Sequence, residues 1–95
     1  MANQRESLRE ERVRLEAEIA DLESAKRLLT AAIGELAHDG RRLSDALERM
    51  GGQGADIEGR RRALVENRAL SEAELKDIEQ RLKRLRFRLA ELDED

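Results

Sequence analysis

The stretch Arg49-Met50-Gly51-Gly52-Gln53-Gly54-Ala55-Asp56 decides the fold of this chain, because it divides a leucine-rich sequence into two segments. Three glycines stand here within four positions, and glycine is the residue that most often follows the last turn of a helix. The base before the glycines and the acid after them suit the dipoles of one helix that ends and another that begins. The stretch therefore predicts a Gly-rich turn near residues 51–56.

On both sides of this turn, apolar residues recur every seven positions, which indicates a coiled coil. One series, assigned to heptad position d, starts at Leu8 and has large apolar residues at twelve of its thirteen positions. The companion series, position a, is interrupted by glycines and bases in its middle part, which are Gly40, Gly54, Arg61 and Arg68. The two series predict one all-α domain over residues 1–95, with helix 1 over about 4–50, a turn at 51–55 and helix 2 over about 56–92.

Helix 2 has a second candidate start near residue 70. Ser71 and Glu74 have the spacing of a capping box, and Leu70 and Leu75 have that of a hydrophobic staple. Either helix 2 is interrupted near residue 70, or Ser71 is a polar residue tolerated at position d of a continuous helix. Both alternatives stay open at the level of the sequence.

The charges that flank the apolar series favour an antiparallel hairpin. A parallel, in-register dimer would place like charges opposite each other, whereas a chain folded back at the glycines brings Glu18 near Arg88 and Glu23 near Arg86. In this register the numbers of facing residues sum to about 107, so Leu22 faces Leu85 and Leu43 faces Leu64. Gly40 comes opposite Arg68, where the missing side chain would leave room for the long arginine stem. The predicted fold is an antiparallel helical hairpin, which is a coiled coil formed within one chain. An antiparallel dimer of two long helices would satisfy the same charge rule and stays open as the alternative.

Self-association is expected because helix 1 has more small and apolar residues beside the seam than a two-helix contact uses. Two hairpins packed on this face would make a homodimeric four-helix bundle. An alternative is that the alanines only raise helix propensity. The predicted oligomer interface consists of Ala25, Leu29, Ala32, Ile33, Leu36, Leu43, Ala46 and Leu47.

The segment 81–88 carries five bases, no acid and Phe87, the only aromatic residue of the chain. On a helix, Lys83, Arg84 and Phe87 point away from the seam, and we interpret them as a binding site for a protein partner. A nucleic-acid interface is the less favoured alternative, because Arg86 and Arg88 are expected to pair with acids of helix 1. The net charge of −3 is also too balanced to indicate a nucleic-acid binder.

The composition offers no catalytic constellation. There is no Cys, hence no thiol nucleophile or thiolate ligand, and a reducing compartment is the expected setting. His38, the only histidine, falls at an outer position, and one imidazole among scattered carboxylates forms neither a metal site nor a base–nucleophile pair. We expect no enzyme activity, no cofactor and no metal.

The expected function is therefore that of a cytoplasmic, non-enzymatic coiled-coil protein that acts as an adaptor, scaffold or small assembly subunit. No apolar run of about 18 residues is present, so membrane insertion is not expected, and the first residues lack the layout of a signal peptide. Two other functions stay open. One is a dedicated partner or chaperone completed by another protein's helix, and the other is a nucleic-acid-binding regulator that uses residues 81–88.

Overall fold

The structure, a computed structural model, describes residues 2–51 and 54–94. Helix α1 spans Ala2–Met50 and helix α2 spans Ala55–Glu94, and these two ranges contain no β-strand. Strong helix formers such as Ala, Leu, Arg and Glu dominate both, and no proline interrupts them. Helix α2 continues without a break through Leu70 and Ser71, so Ser71 is a half-buried polar residue within a helix and not the start of a new one.

A glycine follows the last residue of α1, and another precedes the first residue of α2. Gly51 has a φ of 60°, a left-handed conformation that favours glycine, and its N–H donates to the Glu48 carbonyl at 3.4 Å. The Gly54 carbonyl accepts the first hydrogen bond of α2, from the Glu58 N–H at 2.8 Å. The predicted turn includes Gly52 and Gln53, which lie outside the described residues.

Contacts group the chain into two compact units. Unit 1 pairs residues 1–27 with residues 76–95, and unit 2 comprises Leu28–Leu75. In unit 1 the two helices pack around Leu15, Leu82 and Leu92, whose exposed fractions are 8%, 1% and 6%. These are the only buried hydrophobic residues in the part of the chain that the structure describes.

Unit 2 has a more open seam. Its leucines and isoleucines at positions a and d are only half-buried, and Gly54 is its only buried residue among those described. Arg61 and Arg68 stand at position a but are exposed, and each pairs with an acid of its own helix. The predicted filling of the space at Gly40 by Arg68 is wrong: the Arg68 Nε lies 2.9 Å from the Glu72 carboxylate instead, and a Cβ at Gly40 would meet nothing within 4 Å.

Candidate interaction surfaces

In unit 1, salt bridges join α1 to α2. Arg86 lies 2.8 Å from the Glu23 carboxylate, which confirms the predicted pair. The predicted pair of Arg88 with Glu18 is wrong, because Arg88 binds Glu11 through two hydrogen bonds of 2.7 and 3.1 Å. Glu11 and Glu18 are one heptad apart on the same side of α1, and the long arginine side chain reaches the one nearer the end of the hairpin. The antiparallel pairing holds, with a different partner for this base.

The Arg88 hydrogen bond lowers the pKa of Glu11 below that of an ordinary glutamate, and the nearby positive charges of Arg88 and Arg14 lower it further. Partial burial of the carboxylate opposes this shift in the pKa. The same hydrogen bond raises the pKa of Arg88. The pair is therefore ionised throughout the neutral range, where it links the two helices of unit 1.

Two bases at seam positions make further pairs that the sequence analysis missed. Arg12 pairs with Asp93 and also donates to the Leu92 carbonyl at 3.5 Å, while the Lys26 Nζ lies 4.0 Å from the Glu79 carboxylate. Both bases stand at position a and both acids at position e of the other helix. These pairs could have been predicted from the sequence, because in both cases a base at position a comes opposite an acid at position e of the antiparallel helix.

Because of these salt bridges, fewer bases of segment 81–88 remain available to bind a partner. Arg86 and Arg88 are engaged with α1, whereas no ion pair of Lys83 or Arg84 occurs among the described residues. Phe87 keeps 70% of its surface exposed. We call Lys83, Arg84 and Phe87 the Phe87 patch. Its members are adjacent, because residues three and four positions apart share a helix face.

Unit 2 has no ion pair between α1 and α2 within the described residues. Its pairs are local to α2, where Glu58 contacts Arg61 and Arg62, and Glu72 contacts Arg68. Exposed local pairs of this kind stabilise a helix by only about 0.3–0.5 kcal/mol. The association of the two helices in unit 2 therefore rests on a half-buried apolar seam.

A groove of about 670 Å³ opens on one side of unit 2. Its apolar lining consists of Leu43 and Ala46 from α1 and Ala63 and Leu64 from α2. Leu43 and Leu64 line the same groove, as the predicted register requires. The charged residues that surround this lining are Asp39, Arg42, Asp45, Arg49 and Arg60. We call this set of nine residues the unit 2 groove.

The predicted oligomer interface only partly coincides with the groove. Leu43 and Ala46 are shared, and both are half-buried. Ala32 is exposed, and the remaining predicted residues are half-buried, which are Ala25, Leu29, Ile33, Leu36 and Leu47. The predicted interface lies on α1 alone, whereas Arg60, Ala63 and Leu64 of α2 also line the groove. A heptad pattern within one helix does not show which residues of the second helix border the same groove.

The described residues contain no group of three or more His, Asp or Glu side chains that could hold a metal ion. His38 is exposed on α1. In the ranges covered by the structure, neither helix is long and apolar enough to cross a membrane. Comparison with known proteins finds no matching family model, no matching curated protein and no matching solved structure.

Proposed function

We propose that this chain is a non-enzymatic interaction protein, an adaptor, scaffold or small assembly subunit, that self-associates through unit 2. Two hairpins packed on their unit 2 faces form a homodimeric four-helix bundle. The observation that carries this proposal is the unit 2 groove, in which apolar side chains from both helices lie open between charged residues. Apolar surface bordered by charge is typical of a protein-binding site.

The difference between the two units supports the proposal. Unit 1 has three buried leucines and four pairs of residues joined by salt bridges between its helices. Unit 2 has a half-buried seam, exposed bases at position a and no such pair among its described residues. A second layer of helices over unit 2 would remove its apolar seam from water, at about 25 cal/mol for each Å² covered.

The available surface is also large enough. The chain exposes 7705 Å², whereas a compact chain of 10.9 kDa exposes about 5,600 Å². The surplus is comparable to the roughly 1,200–2,000 Å² that a stable protein interface buries in total. The surface of the whole chain is therefore large enough to supply a dimer interface of ordinary size.

The test compares two alanines of α1 that receive the same charge. Ala46 lines the groove, whereas Ala31 is exposed at outer position f. Glutamate at position 46 would have Arg42 and Arg49 one turn away on its own helix, so the isolated hairpin should tolerate it. We expect wild type and Ala31→Glu to be dimers in sedimentation equilibrium at micromolar concentration, and Ala46→Glu to be shifted towards monomer.

Helicity measured by circular dichroism serves as the control for folding. A wild-type chain that stays monomeric and cooperatively folded across the concentration series would refute self-association. A wild-type chain that is partly unfolded alone and gains helicity only with another protein would favour the alternative, a dedicated partner or chaperone completed by a foreign helix.

A second candidate function, binding of a protein partner, rests on the Phe87 patch. A large ring that is 70% exposed beside two bases without ion pairs provides an apolar anchor and a positive rim. Leu70 is a matched control, because it is 69% exposed and lies outside the patch. Proteins captured from the native host by the wild type should be lost with Phe87→Ala and kept with Leu70→Ala. Equal capture by both variants would argue against the patch.

The nucleic-acid alternative has less support, since two of the five bases in segment 81–88 pair with α1. It requires binding that weakens steeply with salt, because each phosphate contact releases counterions. If the chain shifts neither DNA nor RNA in a gel at low salt, this alternative is excluded.

A further inference from the structure

The charged residues that α1 contributes to the unit 2 groove alternate in sign. In chain order they are Asp39, Arg42, Asp45 and Arg49. All four are exposed, and no ion pair involves any of them within the residues that the structure describes. The Arg49 Nε donates to the Asp45 backbone carbonyl at 3.4 Å, so the Asp45 carboxylate is not used in that bond.

An alternating row of even length becomes its own complement when it is reversed. Packed antiparallel on a second copy, Asp39 faces Arg49 of that copy, and Arg42 faces Asp45. Both of these charge pairs place the centre of the contact near residue 44. Each pair occurs twice, because the dimer is symmetric. Leu43 and Ala46, the apolar α1 residues of the groove, lie next to this centre.

We propose that the occupant of the unit 2 groove is the same groove of a second copy, with the two α1 helices antiparallel and crossing near residue 44. This inference rests on the proposed self-association and adds its register and symmetry. The four matched charge pairs select this register, and the leucine and alanine side chains at the centre supply the buried surface. Arg60 of α2 lines the groove as an additional base.

A partner with a uniform charge fits the groove less well. An acidic helix would meet Asp39 and Asp45, and a basic helix would meet the three arginines. A helix with the same alternation in reverse order matches every charge of the α1 row, and a second copy supplies it.

The test reverses charges ten residues apart. Asp39→Arg alone places two arginines opposite each other at each symmetric contact, and Arg49→Asp alone places two aspartates there. Residues 39 and 49 are too far apart along α1 to interact within one chain. We expect each single variant to raise the dimer Kd by roughly tenfold, and the double variant Asp39→Arg/Arg49→Asp to restore it.

Mixing the two single variants gives the sharpest result. One chain then has arginine at both positions and the other has aspartate at both, so a heterodimer forms with two attractive contacts while each homodimer is repelled. Tagging one chain and weighing the complex by native mass spectrometry should show the heterodimer in excess. The control is Glu66→Arg, because Glu66 is exposed at outer position f of α2 and the charge change is the same as in Asp39→Arg.

The outcomes separate the two proposals. A wild-type chain that never dimerises refutes the proposed self-association, and the register with it. A wild-type dimer whose Kd changes no more with Asp39→Arg or Arg49→Asp than with Glu66→Arg refutes only the register. Single variants that weaken the dimer but do not combine into a heterodimer refute it as well.

Discussion

Leu82→Ala tests whether the stability of the hairpin resides in the seam of unit 1. Leu82 has an exposed fraction of 1% and is the largest fully buried side chain among the described residues. The substitution removes three carbon atoms from a nearly dry site, which costs about 2.4 kcal/mol at roughly 0.8 kcal/mol for each buried methylene. The cavity left behind adds to this loss, so we expect the free energy of unfolding to fall by about 2–4 kcal/mol.

Leu70→Ala is the matched control for this substitution. Leu70 belongs to the same helix but is 69% exposed, so only about a third of the methylene contribution is at stake and the loss should stay below about 1 kcal/mol. Urea unfolding followed by circular dichroism at 222 nm measures both values, with protein concentrations held equal because the proposed dimerisation would shift the midpoint. Equal losses for the two variants would refute the packing described for unit 1.

Two further predictions address the salt bridges and the register. The pKa of Glu11 is lowered in the fold by the Arg88 hydrogen bond, so its contribution to stability is present above the ordinary glutamate pKa of about 4.3 and is lost as pH falls through the lower folded value. Urea midpoints of wild type and Glu11→Gln should therefore differ at pH 7 and converge in acid; a constant difference at every pH would contradict this. Leu22 and Leu85 line one groove, so Leu22→Cys/Leu85→Cys should form a disulfide within one chain, and crosslinks that join two chains even at high dilution would indicate exchanged helices.

The fold could be predicted from the sequence because its decisive features are local or periodic. The glycines at 51–54 divide two helix-forming segments, and the recurrence of leucine every seven residues places Leu15, Leu82 and Leu92 on the buried seam. Like charges that would meet in a parallel dimer favour the antiparallel arrangement, and the Arg86–Glu23 pair confirms it. The capping-box pattern at Ser71 left open whether helix 2 is interrupted. The helix is continuous there, because helix propensity and the surrounding seam outweigh a local start signal.

The candidate sites were only partly predictable, because they depend on side chains that approach from both helices. The heptad position of Arg88 shows on which side of the seam its side chain lies. It does not show whether this long side chain reaches Glu11 or Glu18, which are one heptad apart. Arg12 and Arg68 both stand at position a, but Arg12 pairs with a carboxylate of the opposite helix, whereas Arg68 pairs with a carboxylate of its own helix. The difference depends on which acid lies within reach in three dimensions.

The sequence by itself determined two helices, their antiparallel direction and the leucine seam, because periodicity and charge order are one-dimensional properties of the chain. Only the tertiary structure showed that burial and cross-helix salt bridges concentrate in unit 1, whereas unit 2 is left with an open groove. Both units share the apolar series at position d, so that series does not distinguish them. The two units differ in how tightly side chains of α1 and α2 pack against each other. In unit 2, Gly40 has no side chain and Arg61 is exposed, so the seam is only half-buried, whereas in unit 1 the helices pack tightly around Leu82.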